Sequence, residues 1–201
     1  MPSIDRRLLV AGALVLAAAA CAKAPTPVPD DMSLGNPHAK VTVIEYASVA
    51  CPVCGQWYRE VWPTFKARYI DTGKIHFVSR EMLVGDTGEV TAAAAGFLLA
   101  RCLGRDKYFD VTGAIYASQP GLFDDPRGVL MSIAKANGMD EKTFDTCVTD
   151  SKALAALDRR VERYSKVDRV QATPTFVVNG AALTPGYHPL ADLDAAIAAA
   201  K

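Results

Sequence analysis

Apolar residues recur along the chain in two different patterns, which separate the predicted strands from the predicted helices. Residues 40–46 and 75–79 are rich in β-branched and aromatic side chains and predict two strands. Over residues 52–69 the apolar side chains return every four positions, which predicts an amphipathic helix with a kink at Pro63. A strand, a helix and a strand in this order predict a parallel strand pair with a right-handed crossover.

The pattern then changes, because residues 81–174 carry little strand signal. An Ala-rich segment at 89–103 predicts one helix of this block. Asp125, which is followed by a proline, is typical of an N-cap and the first turn of another. We predict that Asp140 and Ser151 cap two further helices. The block therefore predicts a helical region inserted between two parts of a sheet.

The end of the chain returns to a strand pattern. Residues 175–178 predict a third strand, and Asn179-Gly180 is a strong hairpin signal that leads into a short returning strand. Residues 190–200 predict a closing Ala-rich helix. A parallel pair joined to an antiparallel hairpin, with helices around it, predicts an α/β sandwich.

The first residues have a different character from the rest. Two arginines precede an apolar run over residues 8–20, which is too short for an ordinary transmembrane helix and predicts a secretory signal peptide over residues 1–21. The run Ala-Ala-Ala-Cys that ends at Cys21 also resembles a lipoprotein signal, in which Cys21 would carry lipid; ordinary cleavage is the alternative. The proline-rich residues 22–33 predict an extended linker, with the folded domain following over residues 34–201.

The charge of the chain is balanced, with 22 Lys and Arg against 22 Asp and Glu. This balance argues against a nucleic-acid-binding protein, which is normally basic or carries a basic stripe. The closest approach to a basic block is Arg159-Arg160 with Arg163, interrupted by Glu162. We expect these residues to lie on a solvent-exposed helix face.

The sequence Cys51-Pro52-Val53-Cys54 stands between the first predicted strand and its helix. A helix N-terminus stabilises a thiolate through its free amides and its dipole, which predicts Cys51 as the attacking nucleophile. Cys54 lies one turn further, within reach of a disulfide, and is predicted to resolve the mixed disulfide formed at Cys51. An inert structural disulfide is the alternative. A zinc site usually needs a second close pair of ligands, and the remaining cysteines and histidines are scattered, so we predict no metal.

Two further positions fit a redox centre. Glu45 precedes Cys51 by six residues on an apolar strand, where a buried carboxyl group would exchange a proton with Cys54. The alternative is a glutamate that faces the edge of an alternating strand. Pro174 precedes the third strand, and a cis bond there would expose backbone groups to a substrate chain beside Cys51. Taken alone, Pro174 also suits the first residue of a strand.

Together these features resemble the DsbA-like branch of the thioredoxin superfamily. The resemblance rests on Glu-Tyr-Ala-Ser at 45–48, Cys-Pro-Val-Cys at 51–54, Ala-Thr-Pro-Thr-Phe at 172–176 and the helical block between the two β-parts. It covers about residues 34–201. It implies a thioredoxin-like α/β fold with an inserted all-helical domain at about 84–168.

The resemblance also implies roles for individual residues. Cys51 attacks, Glu45 lies buried under the active site, and the proline matching Pro174 is cis and binds the substrate together with its neighbour Thr173 and with Pro52 and Val53. Oxidising members carry His at the position of Val53 and Val at the position of Thr173. Both differences leave the direction of electron flow open.

Cys102 and Cys147 form a second pair, located in the helical block. With Cys21 set aside, an even number of cysteines permits two bridges in an exported protein. We predict a structural disulfide between Cys102 and Cys147. Two buried free thiols are the alternative.

The leading functional hypothesis is a monomeric thiol–disulfide oxidoreductase that forms disulfides in unfolded or partly folded exported proteins. It would act in the periplasm, need no cofactor and be reset by a membrane redox partner. A disulfide isomerase or reductase is the first alternative, although residues 22–33 leave no room for a dimerisation domain. A non-catalytic envelope chaperone with a thioredoxin fold is the second.

Overall fold

The computed structural model describes residues 24–200, in which a five-stranded mixed sheet is surrounded by helices. The predicted signal peptide and the predicted lipidation site Cys21 lie outside the described residues. In chain order, the strands are β1 (Met32–Gly35), β2 (Val41–Ala47), β3 (Ile75–Glu81), β4 (Thr175–Val178) and β5 (Ala181–Ala182).

The sheet has the strand order β1-β3-β2-β4-β5, so β2 lies at its centre. As predicted, β2 and β3 are parallel and β4 turns into β5 as an antiparallel hairpin. β4 also pairs antiparallel with β2 and places Phe176 opposite Glu45. The two segments that bear the predicted site, at the end of β2 and at the start of β4, therefore meet at one end of neighbouring strands.

The helices cover both sides of this sheet. In chain order, they are α1 (Pro52–Glu60), α2 (Trp62–Phe65), a π-helical turn (Lys66–Ile70), α3 (Thr87–Cys102), α4 (Tyr108–Ala117), α5 (Gln119–Asp124), α6 (Pro126–Ala136), α7 (Glu141–Val148), α8 (Ser151–Lys166) and α9 (Leu190–Ala199). Helices α3 to α8 form the continuous helical insertion, in agreement with the predicted fold class. Among residues 24–200, no helix has the length and apolar character that crossing a membrane requires.

The helix after β2 is interrupted at Val61, which separates α1 from α2. Pro63 lies in the first turn of α2 and has no N–H to bond to the preceding turn, which accounts for the break. The apolar stripe continues across it, because Trp57, Trp62 and Phe65 are all buried and their rings pack together. These aromatic residues anchor the helix that carries the two cysteines.

Gln119-Pro120-Gly121 begins α5, since a proline is tolerated in the first helical turn, where its missing donor is not needed. One local prediction within the insertion needs correction. At the start of α8, the capping side chain belongs to Asp150, which accepts from the amides of Lys152 and Ala153. Ser151 is the first residue of the helix.

The predicted linker over residues 22–33 also needs correction. Met32 and Ser33 belong to β1, which pairs antiparallel with β3 and which we did not predict. Asp31 is 3% exposed and forms an ion pair with the buried Arg80 at 2.9 Å. Arg80 also donates to the carbonyl of Thr26 at 2.6 Å. The segment packs against the sheet because its polar groups bond to the buried Arg80. Its proline-rich composition gives no sign of these contacts.

The basic group on α8 differs from its prediction for the same reason. Arg160 is 8% exposed, and its guanidinium lies 2.8 Å from Glu81 and 3.3 Å from Asp30. Arg163 lies 3.8 Å from Asp31. Arg159 is exposed, as predicted. Arg160 and Arg163, in contrast, lie on a face of α8 that packs against the end of β3 and the N-terminal segment.

Candidate active site

Cys51 lies directly after β2 and occupies the N-cap of α1. Its backbone is extended, with φ −75° and ψ 120°, so the side chain turns toward the free amides of the first helical turn. The amide of Cys54 donates to the Cys51 sulfur at 3.4 Å. Pro52 takes the first helical position, where its missing N–H is not needed.

The surroundings of Cys51 favour its thiolate. Its pKa falls from 9.0 to about 6, chiefly because the Cys54 thiol donates a hydrogen bond to it. Partial burial opposes this change, while Thr173 and the backbone amides of Val53 and Cys54 add to it. Cys51 is half-buried, so an incoming sulfur can still reach it.

Cys54 has the opposite properties. It is 1% exposed, and burial raises its pKa well above 9.0, with the neighbouring Cys51 adding to the rise. Both cysteines are free thiols in this structure. The Cys51 thiol is therefore accessible and has a low pKa, while the Cys54 thiol is enclosed and retains its proton.

Glu45 is buried on β2, with 3% of its surface exposed, so the edge-facing alternative is excluded. Burial raises its pKa from 4.5 to about 8, and the negative charge of Cys51 adds to the rise. The charge of Glu45 in turn contributes to the raised pKa of Cys54. The carboxyl group is therefore protonated near neutral pH and electrostatically coupled to both cysteines.

The loop before β4 lies against the same sulfur. The Thr173–Pro174 peptide bond is cis, and the carbonyl oxygen of Thr173 lies 3.6 Å from the Cys51 sulfur. Val53, two residues after Cys51, is 38% exposed. The structure thus brings together Cys51, Cys54, Glu45, Pro52, Val53, Thr173 and Pro174, which the sequence placed in two distant segments.

The second cysteine pair lies elsewhere, in the helical insertion. A disulfide joins Cys102 at the end of α3 to Cys147 in α7, with a Cα–Cα distance of 6.0 Å. It ties two helices of the insertion together. No cluster of three or more potential metal-ligating side chains occurs in the part of the chain that the structure describes.

Sequence reasoning missed one polar residue at the site. Gln119, at the start of α5, is 3% exposed and donates hydrogen bonds to two carbonyl groups of the loop that carries Cys51. Its contacts lie 68 and 70 residues away along the chain. No local pattern links residues so far apart.

Comparison with known proteins supports the assignment of the fold and the family. The family model described as Thioredoxin matches residues 27–199. A putative protein-disulfide oxidoreductase of Rickettsia bellii is 32% identical over 154 residues, which cover 75% of this chain and 58% of that protein. The chain thus spans little more than half the length of this relative. A probable disulfide bond formation protein D of Bacillus cereus is 27% identical, covering 77% of this chain and 73% of that protein.

Solved structures show the same architecture. The crystal structure of Wolbachia pipientis alpha-DsbA1 matches with a TM-score of 0.77 and 26% identity, covering 86% of this chain and 92% of that one. BdbD from Bacillus subtilis shares the fold, with a TM-score of 0.72 at 20% identity. The Cys-x-x-Cys at a helix start, the cis-proline loop and the helical insertion agree with these matches, and the chain belongs to the thioredoxin family as a DsbA-like member.

Proposed function

We propose that the protein is a thiol–disulfide oxidoreductase that forms disulfides in exported proteins through Cys51 and Cys54. The observation that carries the proposal is the asymmetry of the pair. Cys51 is half-buried with a pKa near 6, whereas Cys54 is enclosed with a raised pKa. Disulfide exchange requires a thiol of low pKa that serves as nucleophile and leaving group, here Cys51, beside a protected resolving thiol, here Cys54.

In the proposed reaction, the oxidised protein carries a Cys51–Cys54 disulfide. A substrate thiolate attacks the sulfur of Cys51, the bond to Cys54 breaks, and a mixed disulfide forms. Cys54 leaves as a thiolate of high pKa, and Glu45, protonated near neutral pH, supplies the proton it needs. A second substrate thiolate then attacks the substrate sulfur and releases Cys51 as a stable thiolate. Two substrate thiols become a disulfide, and the protein's disulfide becomes a dithiol.

The low pKa of Cys51 favours the oxidising direction. A stabilised thiolate stabilises the reduced protein, and this makes the disulfide form a stronger oxidant. The name of the Bacillus cereus relative, a probable disulfide bond formation protein, supports the same direction, whereas the name of the rickettsial relative, an oxidoreductase, fits either direction. Two residues favour the alternative. Thr173 resembles the residue of isomerases and reductases, and Val53 lacks a polar group that would stabilise the Cys51 thiolate and make the disulfide a stronger oxidant.

Reduced, unfolded polypeptides with at least two cysteines are the proposed substrates. A membrane redox partner would accept the electrons that Cys51 and Cys54 collect. The signal-like residues 1–21 support export to the periplasm, and lipid attachment at Cys21 is part of the proposal. Mass spectrometry of the mature protein tests the last point: an acylated N-terminal Cys21 supports it, and an unmodified N-terminus excludes it.

The decisive experiment mixes the oxidised protein with a reduced, unfolded protein and follows disulfide formation and recovery of native structure. We expect rapid transfer by the wild type and none by Cys51→Ser, while Cys54→Ser should trap a mixed disulfide at Cys51. Cys102→Ser/Cys147→Ser serves as the matched control, because it removes two cysteines outside the site.

The reduction potential separates the alternatives. Equilibration of the Cys51–Cys54 pair with glutathione should give a reduction potential well above the value of thioredoxin, which is about −270 mV. A thioredoxin-like value would point to a reductase. Full activity of Cys51→Ser would show that the redox pair is not the active site and would leave the chaperone alternative.

A further inference from the structure

Gln119 belongs to the helical insertion, yet its side chain is directed into the loop that carries the redox pair. Its amide nitrogen donates to the carbonyl of Val49 at 2.8 Å and to the carbonyl of Cys51 at 2.9 Å. The side chain is almost fully buried. Both of its N–H donors are therefore used by the backbone of this loop.

The orientation of the Gln119 amide follows from its neighbours. Arg59, near the end of α1, donates to the side-chain oxygen of Gln119 at 3.4 Å and to the carbonyl of Tyr116 at 3.1 Å. A guanidinium can only donate and a backbone carbonyl can only accept, so the oxygen of Gln119 must face Arg59. The opposite orientation would place N–H groups against the guanidinium and an oxygen against two carbonyls.

The loop that Gln119 contacts determines how Cys51 is presented. The amide of Cys51 donates to the carbonyl of Ser48 at 3.0 Å, which closes a turn between β2 and α1. The carbonyl of Cys51 accepts from the amide of Gly55 at 3.0 Å and thereby begins α1. Gln119 adds a second hydrogen bond to this carbonyl, so it ties the first turn of α1 to the insertion.

Gly55 shows how closely the two parts approach. A Cβ atom at this position would lie 1.8 Å from the side-chain oxygen of Gln119, and the three atoms nearest to it would all belong to the Gln119 amide. Only a residue without a side chain leaves the amide in this place. Gly55 and Gln119 therefore form one contact that can be disturbed from either side.

We propose that Gln119 is a positioning residue: by holding the carbonyls of Val49 and Cys51, it keeps the amides at the start of α1 aimed at the Cys51 sulfur. This inference rests on the proposed function, in which the Cys51 thiolate is the reacting and leaving group. The helical insertion thereby sets the reactivity of the redox pair, in addition to covering the sheet.

Loss of the Gln119 contacts leaves the loop free to rotate away from the helix amides. The Cys51 thiolate then loses part of its stabilisation, and the reduced state becomes less favourable. We expect the equilibrium constant for reduction of the Cys51–Cys54 disulfide by glutathione to fall about three- to tenfold, the factor typical of one hydrogen bond. A tenfold fall corresponds to about 30 mV. The pKa of Cys51 should rise in parallel.

The test compares three variants with the wild type: Gln119→Ala, Gly55→Ala and the double variant. The readouts are the pKa of Cys51, from the ultraviolet absorbance of the thiolate, and the glutathione equilibrium constant. Both single variants should shift both quantities in the same direction. The double variant should shift them no further than Gln119→Ala alone, because the atoms that a Cβ at position 55 would meet are then gone. Gly121→Ala is the control, since its Cβ would meet Val129 on α6 at 3.3 Å and would leave the contact intact.

A purely structural role gives a different result. If Gln119→Ala lowers the free energy of unfolding but leaves both the acid dissociation constant of Cys51 and the glutathione equilibrium constant within twofold of the wild type, the proposal is wrong. Additive shifts in the double variant would also contradict it. Should Gln119→Ala not fold, Gly55→Ala decides alone, because a flexible side-chain end can move away from the new Cβ. Both readouts are taken on the protein itself, so they remain informative even if the wild type oxidises no polypeptide.

Discussion

Replacement of Glu45 by glutamine tests whether a buried, uncharged acid lies beneath the redox pair. The pKa of Glu45 is 4.5 in an ordinary environment and about 8 in the fold, mainly because burial disfavours the carboxylate. Between these two values the folded state holds a proton that the unfolded state has released. The free energy of unfolding must therefore fall as the pH rises through this interval.

The size of this effect follows from the two pKa values. Each tenfold change in proton affinity corresponds to about 1.4 kcal/mol, so the carboxyl group of Glu45 destabilises the fold by about 3 kcal/mol near pH 7. The cost is small near pH 5 and complete above about pH 8. Part of the raised pKa comes from the Cys51 charge, which the oxidised protein lacks. We therefore expect about 2 to 3 kcal/mol in the oxidised protein.

Urea unfolding of oxidised wild type and Glu45→Gln, between about pH 5 and pH 8, measures this difference. The oxidised form is needed because titration of Cys51 in the reduced protein adds a slope of opposite sign: its folded pKa is lowered. The stability advantage of Glu45→Gln should grow steadily with pH. Glu162→Gln, which removes an exposed carboxylate paired with Lys166, should show no such growth. A difference between Glu45→Gln and wild type that is independent of pH would refute the reasoning.

Three further predictions concern other parts of the molecule. In the reduced protein, alkylation of Cys51 should rise through about pH 6 and leave Cys54 unmodified, as followed by mass spectrometry; a midpoint near the ordinary thiol value of 9.0 would contradict the thiolate stabilisation. Arg80→Ala leaves buried carboxylates without their cation and should lower the free energy of unfolding by about 3 to 5 kcal/mol in urea titrations, whereas a loss below about 1 kcal/mol would show that the ion pairs contribute little. Replacing Cys102 and Cys147 by serine should lower the free energy of unfolding by about 4 kcal/mol, because the disulfide joins residues with a sequence separation of 45. Free thiols at these positions in the unreduced wild type would contradict the disulfide.

Much of the fold could be predicted because its signals are local. The strands β2, β3 and β4 have β-branched runs, and Asn179-Gly180 marks the hairpin directly. β1 escaped prediction because it is a four-residue edge strand whose pairing with β3 is decided by tertiary contacts. The burial of Arg160 could not be predicted, because its partners Glu81 and Asp30 come from distant segments of the chain.

For the candidate site, the sequence alone determined the chemistry of the redox pair: the spacing of Cys51 and Cys54 and their place at a helix start are local properties, since a helix brings residues three apart onto one face. The tertiary structure decided what surrounds that pair. It enclosed Glu45 and Cys54, brought Thr173 to the Cys51 sulfur and placed Gln119 against the redox loop. The reason is physical: burial and hydrogen bonding set a pKa, and both depend on segments that only the folded chain brings together.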